Sequence, residues 1–289
     1  MSTADLRPVI DTALVRRLVD EQFPQWAGLP LERFEPAGSD HVVHRLGGEL
    51  SVRLPRHRHA VGQAAKELRW LPRLGPLLPL AVPVPVAVGE PGCGYPWPWA
   101  VSRWLEGDVA TVAGLGDSAP AARALAGFLT ALRSCPADGG GALREPLEER
   151  DAATRAAIAA LAGEFDAGAM TALWDAALAA PYREPAPVWC HGDLHTGNLL
   201  TAGGELSAVI DFGELGLGDP ACDLTIAFTL MSARCRTVFR TALGADEDTW
   251  TRGRGWALAT GLNAHAAYAA DHPAVAAQTT RQIRAALAG

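Results

Sequence analysis

Apolar and polar positions follow two rhythms along this chain, and the change from one to the other divides it. Around residues 41–54 the period is two. His41-Val-Val-His-Arg-Leu46 and Glu49-Leu-Ser-Val-Arg-Leu54 flank Gly47-Gly48, and a glycine pair between alternating segments predicts a tight hairpin. In its second strand Leu50, Val52 and Leu54 face one way while Ser51 and Arg53 face the other. Before the hairpin, Leu14, Val15, Leu18 and Val19 recur at helical spacing within Leu6 to Phe23, the mark of an amphipathic opening helix. After it, Val61, Ala64, Ala65, Leu68 and Leu71 predict a helix over 60–74 that carries Glu67. The run from Leu80 to Pro98 holds too many prolines for a helix interior and predicts turns around short strands. It leads into a strand, Trp97-Pro-Trp-Ala-Val-Ser-Arg-Trp-Leu-Glu-Gly107, ending at Gly107. Beyond that point Ala- and Leu-rich segments at 118–134, 150–180, 220–236, 248–270 and 273–287 predict helices. The pattern therefore describes an α+β chain, with a small sheet-bearing lobe over 1–105 and a larger, mainly helical lobe over 106–289.

Composition narrows the class. With 289 residues, 49% of them apolar, the chain can bury one large core or two modest ones. Its first residues show no basic-then-apolar leader, and no apolar run approaches the roughly 20 residues that span a bilayer. A cytoplasmic protein without membrane association is expected, as a monomer or weak homodimer. Five scattered cysteines without a Cys-x-x-Cys pair point to reduced thiols, neither a disulfide framework nor a zinc knuckle. The net charge of −7 conceals an asymmetry: residues 1–105 carry 12 basic and 10 acidic residues, residues 106–289 carry 13 and 22. An acidic chain is poorly suited to nucleic acid, while the acidic second part suits a cationic ligand as well as it suits a solubilised surface. Of the 25 basic residues 24 are Arg, and Lys66 is the sole lysine.

The chemistry concentrates in Val188-Trp-Cys-His-Gly-Asp-Leu-His-Thr-Gly-Asn198 and Ser207-Ala-Val-Ile-Asp-Phe-Gly213. Asp193, Asn198 five positions on, and Asp211 ahead of Phe-Gly match what phosphoryl transfer from Mg-ATP requires. One carboxylate takes a hydroxyl proton and orients the acceptor; an amide oxygen and a second carboxylate hold a hard cation that prefers oxygen ligands. Between them, Asn198-Leu-Leu-Thr, Ala202-Gly-Gly-Glu and Leu206-Ser-Ala-Val-Ile210 read as strand, glycine turn, strand, a hairpin expected to return Asp211 to Asn198.

These residues carry a definite resemblance. His191-Gly-Asp-Leu-His-Thr-Gly-Asn198, Ile210-Asp-Phe-Gly213 and Gly218-Asp-Pro-Ala-Cys-Asp-Leu224 resemble the aminoglycoside phosphotransferase family, relatives of protein kinases that phosphorylate hydroxyls of antibiotics and other metabolites, over about residues 30 to 270. The resemblance implies a bilobal protein-kinase-like fold, Asp193 as catalytic aspartate, and Asn198 and Asp211 as Mg²⁺ ligands. It also implies ATP or GTP as donor and a small hydroxylated acceptor. Gly192 stands where protein kinases carry Arg, and no Ala-Pro-Glu segment follows, so a protein substrate is not expected. The strand lysine of kinases is missing. Arg53, fourteen residues before Glu67, occupies that position, as in similar branches of the family; Arg53 is assigned to the phosphates and Glu67 to holding Arg53. Gly38 alone represents the phosphate loop, with the Ser39 hydroxyl as a hydrogen-bond donor to a phosphate, and backbone groups of Arg103 and Leu105 are expected to meet the base at the hinge.

Other readings stand beside these. His191 and His195 have the spacing of zinc ligands on a helix, but Gly192 and Gly197 make a helix poor there. Gly218-Asp-Pro also reads as a helix N-cap, which favours a structural Asp219, with Asp223 as a brace for the catalytic loop. Trp97, Trp99 and Trp104 offer stacking surfaces, although packing is expected for two of them. Glu145, Glu148, Glu149 and Asp151 read as exposed charge near a helix start before they read as contacts to a cationic substrate. An aminoglycoside-type antibiotic is the expected acceptor; the alternatives are a macrolide or other antibiotic, a metabolite, or a catalytically silent kinase-like binding protein.

Overall fold

The structure, a computed structural model, describes residues 8–35, 40–137, 140–182 and 186–289. The chain divides into two compact units, one of Met1–Glu106 with Ala208–Glu214 and one of Gly107–Ser207 with Leu215–Gly289. The stretch 208–214, which the sequence pattern places in the second part, groups with the first because Ala208 bridges Ala81 and the Val209 N–H donates to the Ala81 carbonyl.

The first unit is an antiparallel sheet between two helices. It contains α1 (Thr12–Gln22), β1 (Leu31–Arg33), β2 (His41–Leu46), β3 (Leu50–Pro55), α2 (Arg58–Leu74), β4 (Pro85–Gly89) and β5 (Trp99–Arg103), with strand order β1-β2-β3-β5-β4. The hairpin forms at the glycine pair, but its turn takes three residues rather than two: Leu46 faces Leu50, which leaves Gly47, Gly48 and Glu49 in the turn, and Gly47 turns the chain at φ +61°. Alternation then sorts the two faces. Val42, Leu46, Val52, Leu54, Trp99 and Val101 bury themselves with Leu14, Val15, Leu18 and Val19 of α1, while Ser51 and Arg53 point to the side of α2. The opening helix starts at Thr12, within the expected span of Leu6 to Phe23, because the Asp11 carboxylate caps it by accepting the Leu14 N–H at 2.7 Å. The strand expected to run to Gly107 spans only Trp99–Arg103, followed by one more backbone bond from the Trp104 N–H to the Glu49 carbonyl at 2.7 Å.

The second unit holds β6 (Asp108–Val109), α3 (Val112–Leu115), α4 (Ala119–Ser134), α5 (Asp151–Ala160), α6 (Ala167–Ala179), β7 (Val188–Cys190), β8 (Leu199–Ala202), most of β9 (Glu205–Val209), β10 (Gly216–Gly218), α7 (Thr225–Leu230), α8 (Ala233–Leu243), α9 (Glu247–Tyr268) and α10 (Pro273–Ala288). The span 150–180 is two helices rather than one. Its break falls at 161–166, where Asp166 starts α6 by accepting the Ala169 N–H at 3.0 Å. The span 220–236 is likewise divided: a 3₁₀ turn over Pro220–Leu224, then α7, then α8, which Ser232 caps. Central to the unit is α9, packed against α5, α6, α7 and α10. Its glycines permit this contact, since a Cβ at Gly253 would lie 2.7 Å from Leu224 and one at Gly255 2.4 Å from the Ala177 Cβ. No helix among the described residues is long and apolar enough to cross a membrane.

Candidate active site

In the second unit the His-Gly-Asp motif is a turn held through its backbone N–H groups. β7 pairs with β10, placing Cys190 opposite Gly216, and the chain turns immediately afterwards at Gly192, whose φ of +85° suits glycine. The His191 and Gly192 N–H groups donate to the two oxygens of the buried Asp223 carboxylate at 2.9 and 2.7 Å, so Asp223 braces the loop. Beyond the turn the Asp193 side chain is exposed at 54%. Asn198, buried at the end of a 3₁₀ turn over Thr196–Asn198, donates through Nδ2 to the Asp193 carbonyl at 2.8 Å. Its amide is thereby oriented, with Oδ1 as the remaining acceptor. His195 accepts the Gly197 N–H on Nδ1 at 3.0 Å, leaving Nε2 as the protonated nitrogen, 3.7 Å from Asp193 Oδ2. Asp219 does cap the 3₁₀ turn over Pro220–Leu224, accepting the Ala221 N–H at 3.0 Å, and also pairs with the buried Arg252 at 2.6 Å. Asp151 accepts from Trp174 Nε1 at 2.7 Å and Arg155 Nε at 2.8 Å, which gives it a structural duty.

The first unit contains a second constellation. Arg53 on β3 donates from Nη1 to Glu67 Oε2 on α2 at 2.8 Å, with only 15% and 8% of the two side chains exposed. The other Glu67 oxygen accepts the Phe212 N–H at 2.9 Å, so one buried carboxylate fixes both the arginine and the Asp-Phe-Gly segment. Asp211 lies 3.7 Å from Arg53 Nη2 and takes the left-handed conformation at φ +62°, which Asp tolerates better than most residues. Burial opposes the charge on Arg53, but Glu67 and Asp211 outweigh it and raise the pKa above its ordinary value. Gly213 follows because an added Cβ would come within 3.1 Å of Gln63 on α2. Lys66 sits half-buried on α2 beside Glu67. Arg103 ends β5, exposed and opposite Leu50, and Leu105 follows it, half-buried. Trp99 is fully buried, Trp97 packs edge-on against Tyr95, and Trp104 meets Phe34 and Arg45. Gly38 and Ser39 lie outside the described residues.

A sequence model of the phosphotransferase enzyme family matches residues 31–256. The chain belongs to that family. No curated protein matches it. Among solved structures, this phosphotransferase is similar to APH(2'')-IIia in complex with GDP and kanamycin, with 19% identity over 95% of this chain and 98% of that one and a TM-score of 0.75. It is similar to the macrolide 2'-phosphotransferase MphH from Brachybacterium faecium, with 26% identity, coverage of 94% and 97%, and a TM-score of 0.63. A streptomycin and ATP complex of APH(2'')-IIa shares 16% identity over 97% and 99% of the two chains, with a TM-score of 0.62. The α+β, protein-kinase-like fold is therefore established.

The donor atoms of this phosphotransferase suit magnesium. The acceptor oxygen of the oriented Asn198 amide in the second unit and the half-exposed Asp211 carboxylate in the first are each hard oxygen donors of the kind that ion takes. Neither histidine of the motif joins a metal-binding group; the one cluster of that type among the described residues is Cys190, Cys222 and Asp223, all buried. Two residues escaped the sequence reading. His41 on β2 is 5% exposed, places Nδ1 3.5 Å from Arg53, and is pushed down to about 3 by burial and by Arg53. Alternation along β2 carried that signal, since it puts His41 on the same face as Val43, which the hairpin pairs with Arg53. Arg144, from the segment preceding α5, donates to the Gly192 carbonyl at 3.2 Å and had no local signal at all.

Proposed function

We propose that this phosphotransferase moves the γ-phosphoryl group of ATP or GTP to a hydroxyl of a small molecule, with an aminoglycoside-type antibiotic as acceptor. The observation that carries the proposal is the braced catalytic turn, which presents an exposed Asp193 carboxylate on a backbone fixed by Asp223 and Asn198. Asp193 accepts the proton of the acceptor hydroxyl as its oxygen attacks the γ-phosphorus and the nucleoside diphosphate departs. Arg53, held by Glu67, offsets the phosphate charge, and the Ser39 hydroxyl donates to a phosphate oxygen. Backbone groups of Arg103 and Leu105 meet the base. Asn198 and Asp211 would hold magnesium, which would supply charge neutralisation at the phosphates. The first unit thus serves the nucleotide, and the second supplies the base and the acceptor site.

The acceptor class is supported by relatives solved with kanamycin and streptomycin, and by the 22 acidic against 13 basic residues of 106–289, which favour a polycation. The macrolide relative, at 26% identity, supports a macrolide as the second reading. We place the reaction in the cytoplasm, where triphosphate is supplied and the five free thiols persist, and treat the enzyme as a monomer or weak homodimer. The test is label transfer from γ-labelled ATP and GTP to a panel of aminoglycosides, macrolides and metabolite alcohols. Label should move to an aminoglycoside in Mg²⁺ and stop in excess EDTA. Tight nucleotide binding with no transfer to any acceptor would instead identify a silent binding protein.

A further inference from the structure

Gly192, the residue ahead of Asp193, is gripped from both sides. Its N–H donates to Asp223 at 2.7 Å, and its carbonyl accepts from Arg144 Nη2 at 3.2 Å. Arg144 reaches that carbonyl because residues 142–144 run alongside β10. Leu143 bridges Leu217 in parallel, the Leu217 N–H donates to the Ala142 carbonyl at 2.9 Å, and the Arg144 N–H donates to the Leu217 carbonyl at 2.9 Å. β10 then pairs with β7, from which the catalytic turn departs.

Both glycines of β10 serve this arginine. A Cβ at Gly216 would stand 2.8 Å from Arg144 Cγ and 2.9 Å from the Ala142 carbonyl oxygen, and one at Gly218 would stand 3.1 Å from Arg144 Cβ. Neither glycine has a positive φ, so backbone conformation does not account for them, whereas a seat for the Arg144 stem does. The carbonyl that Arg144 holds belongs to the residue at φ +85°, the freest link in the turn. Because the Asp193 side chain is itself exposed, its position depends on this backbone more than on packing around the carboxylate.

We infer that Arg144 is a positioning residue for phosphoryl transfer: seated on Gly216 and Gly218, its guanidinium holds the Gly192 carbonyl and, with Asp223 on the Gly192 N–H, fixes the residue that aims Asp193. The inference rests on the phosphotransferase reading above, with Asp193 as the base. Loosening the turn misplaces the base without touching the nucleotide anchor, and displacements of about 1 Å cost on the order of 100-fold in rate.

Arg144→Ala should therefore lower kcat by about 10- to 100-fold with nucleotide KM little changed. Arg144→Lys should recover part of the loss, since it restores a charged donor without the planar fork. Gly216→Ala, which evicts the stem while keeping the arginine, should reproduce the kcat defect. Amide hydrogen exchange of the segment 190–195 should quicken in Arg144→Ala while the melting temperature stays close to wild type. Unchanged exchange at 190–195, or unchanged kcat beside faster exchange, overturns the inference. A wild-type chain that transfers phosphate to no acceptor overturns the reading beneath it, and the exchange result tells the two failures apart because it needs no turnover.

Discussion

Arg53 and Glu67 show how much a single pair can organise. The guanidinium is kept charged against burial by two carboxylates, and one of these, Glu67, also ties down the Phe212 N–H. Arg53→Ala should raise the nucleotide KM or lower kcat by about 10- to 100-fold, the worth of a hydrogen bond to a charged group. It should also lower the melting temperature, because Glu67 is left buried without its partner. Lys66→Ala should do little, and Arg53→Lys should fall between them, keeping charge but losing the two-pronged geometry. Steady-state kinetics of the three variants at saturating acceptor checks this; a severe Lys66→Ala defect beside a near-normal Arg53→Ala enzyme would put the phosphate anchor on α2. The pair was legible in sequence through the family resemblance, which places a basic residue on this strand fourteen residues before Glu67; alternation added only that Arg53 faces away from Leu50, Val52 and Leu54. Arg144 was not, because its seat is built by glycines far along the chain and its own surroundings carry no periodicity.

Among the elements, the strands were easier to read than the helices. Alternation with a glycine pair marks β2 and β3 unambiguously, whereas the Ala-rich helices lack a period that says where one ends. The break between α5 and α6 depends on a cap at Asp166, and that between α7 and α8 on one at Ser232; each is a single hydrogen bond inside an apolar run. What the pattern could not disclose was the role of glycine within α9, where absence of a side chain is the packing device. Gly255→Ala should destabilise the protein by about 1–3 kcal/mol, since the new Cβ would lie 2.4 Å from the Ala177 Cβ and force α6 and α9 apart. Denaturant unfolding measures it. A variant as stable as wild type would mean that the α6–α9 contact can spread at no cost.

At the scale of the molecule, acid should destabilise the fold. Burial pushes His41 down to about 3 and His44 to about 4, so both remain neutral in the native state where an unfolded histidine, near 6.5, takes up a proton. The unfolded state then binds more protons, and stability is lost as pH falls from about 6.5 toward 4 and below, approaching about 1.4 kcal/mol per pH unit for each histidine. Melting temperature should fall over that range, and His44→Gln should flatten the dependence; an unaltered slope in the variant would show that His44 is not held neutral. At 19% identity to APH(2'')-IIia the chain shares its fold, and the proposed chemistry depends on three polar positions of this sequence, Asp193, Asn198 and Asp211.

The central claim is that Asp193 is the base of a phosphoryl transfer, and one comparison tests it most directly: acceptor-dependent turnover and nucleotide affinity of Asp193→Ala against wild type under identical Mg²⁺-nucleotide conditions. Turnover should fall by about 10²- to 10⁴-fold, the usual contribution of a positioned general base. Nucleotide affinity and melting temperature should stay near wild type, because the carboxylate is exposed and meets the acceptor rather than the nucleotide. Turnover within a few fold of wild type would contradict the claim.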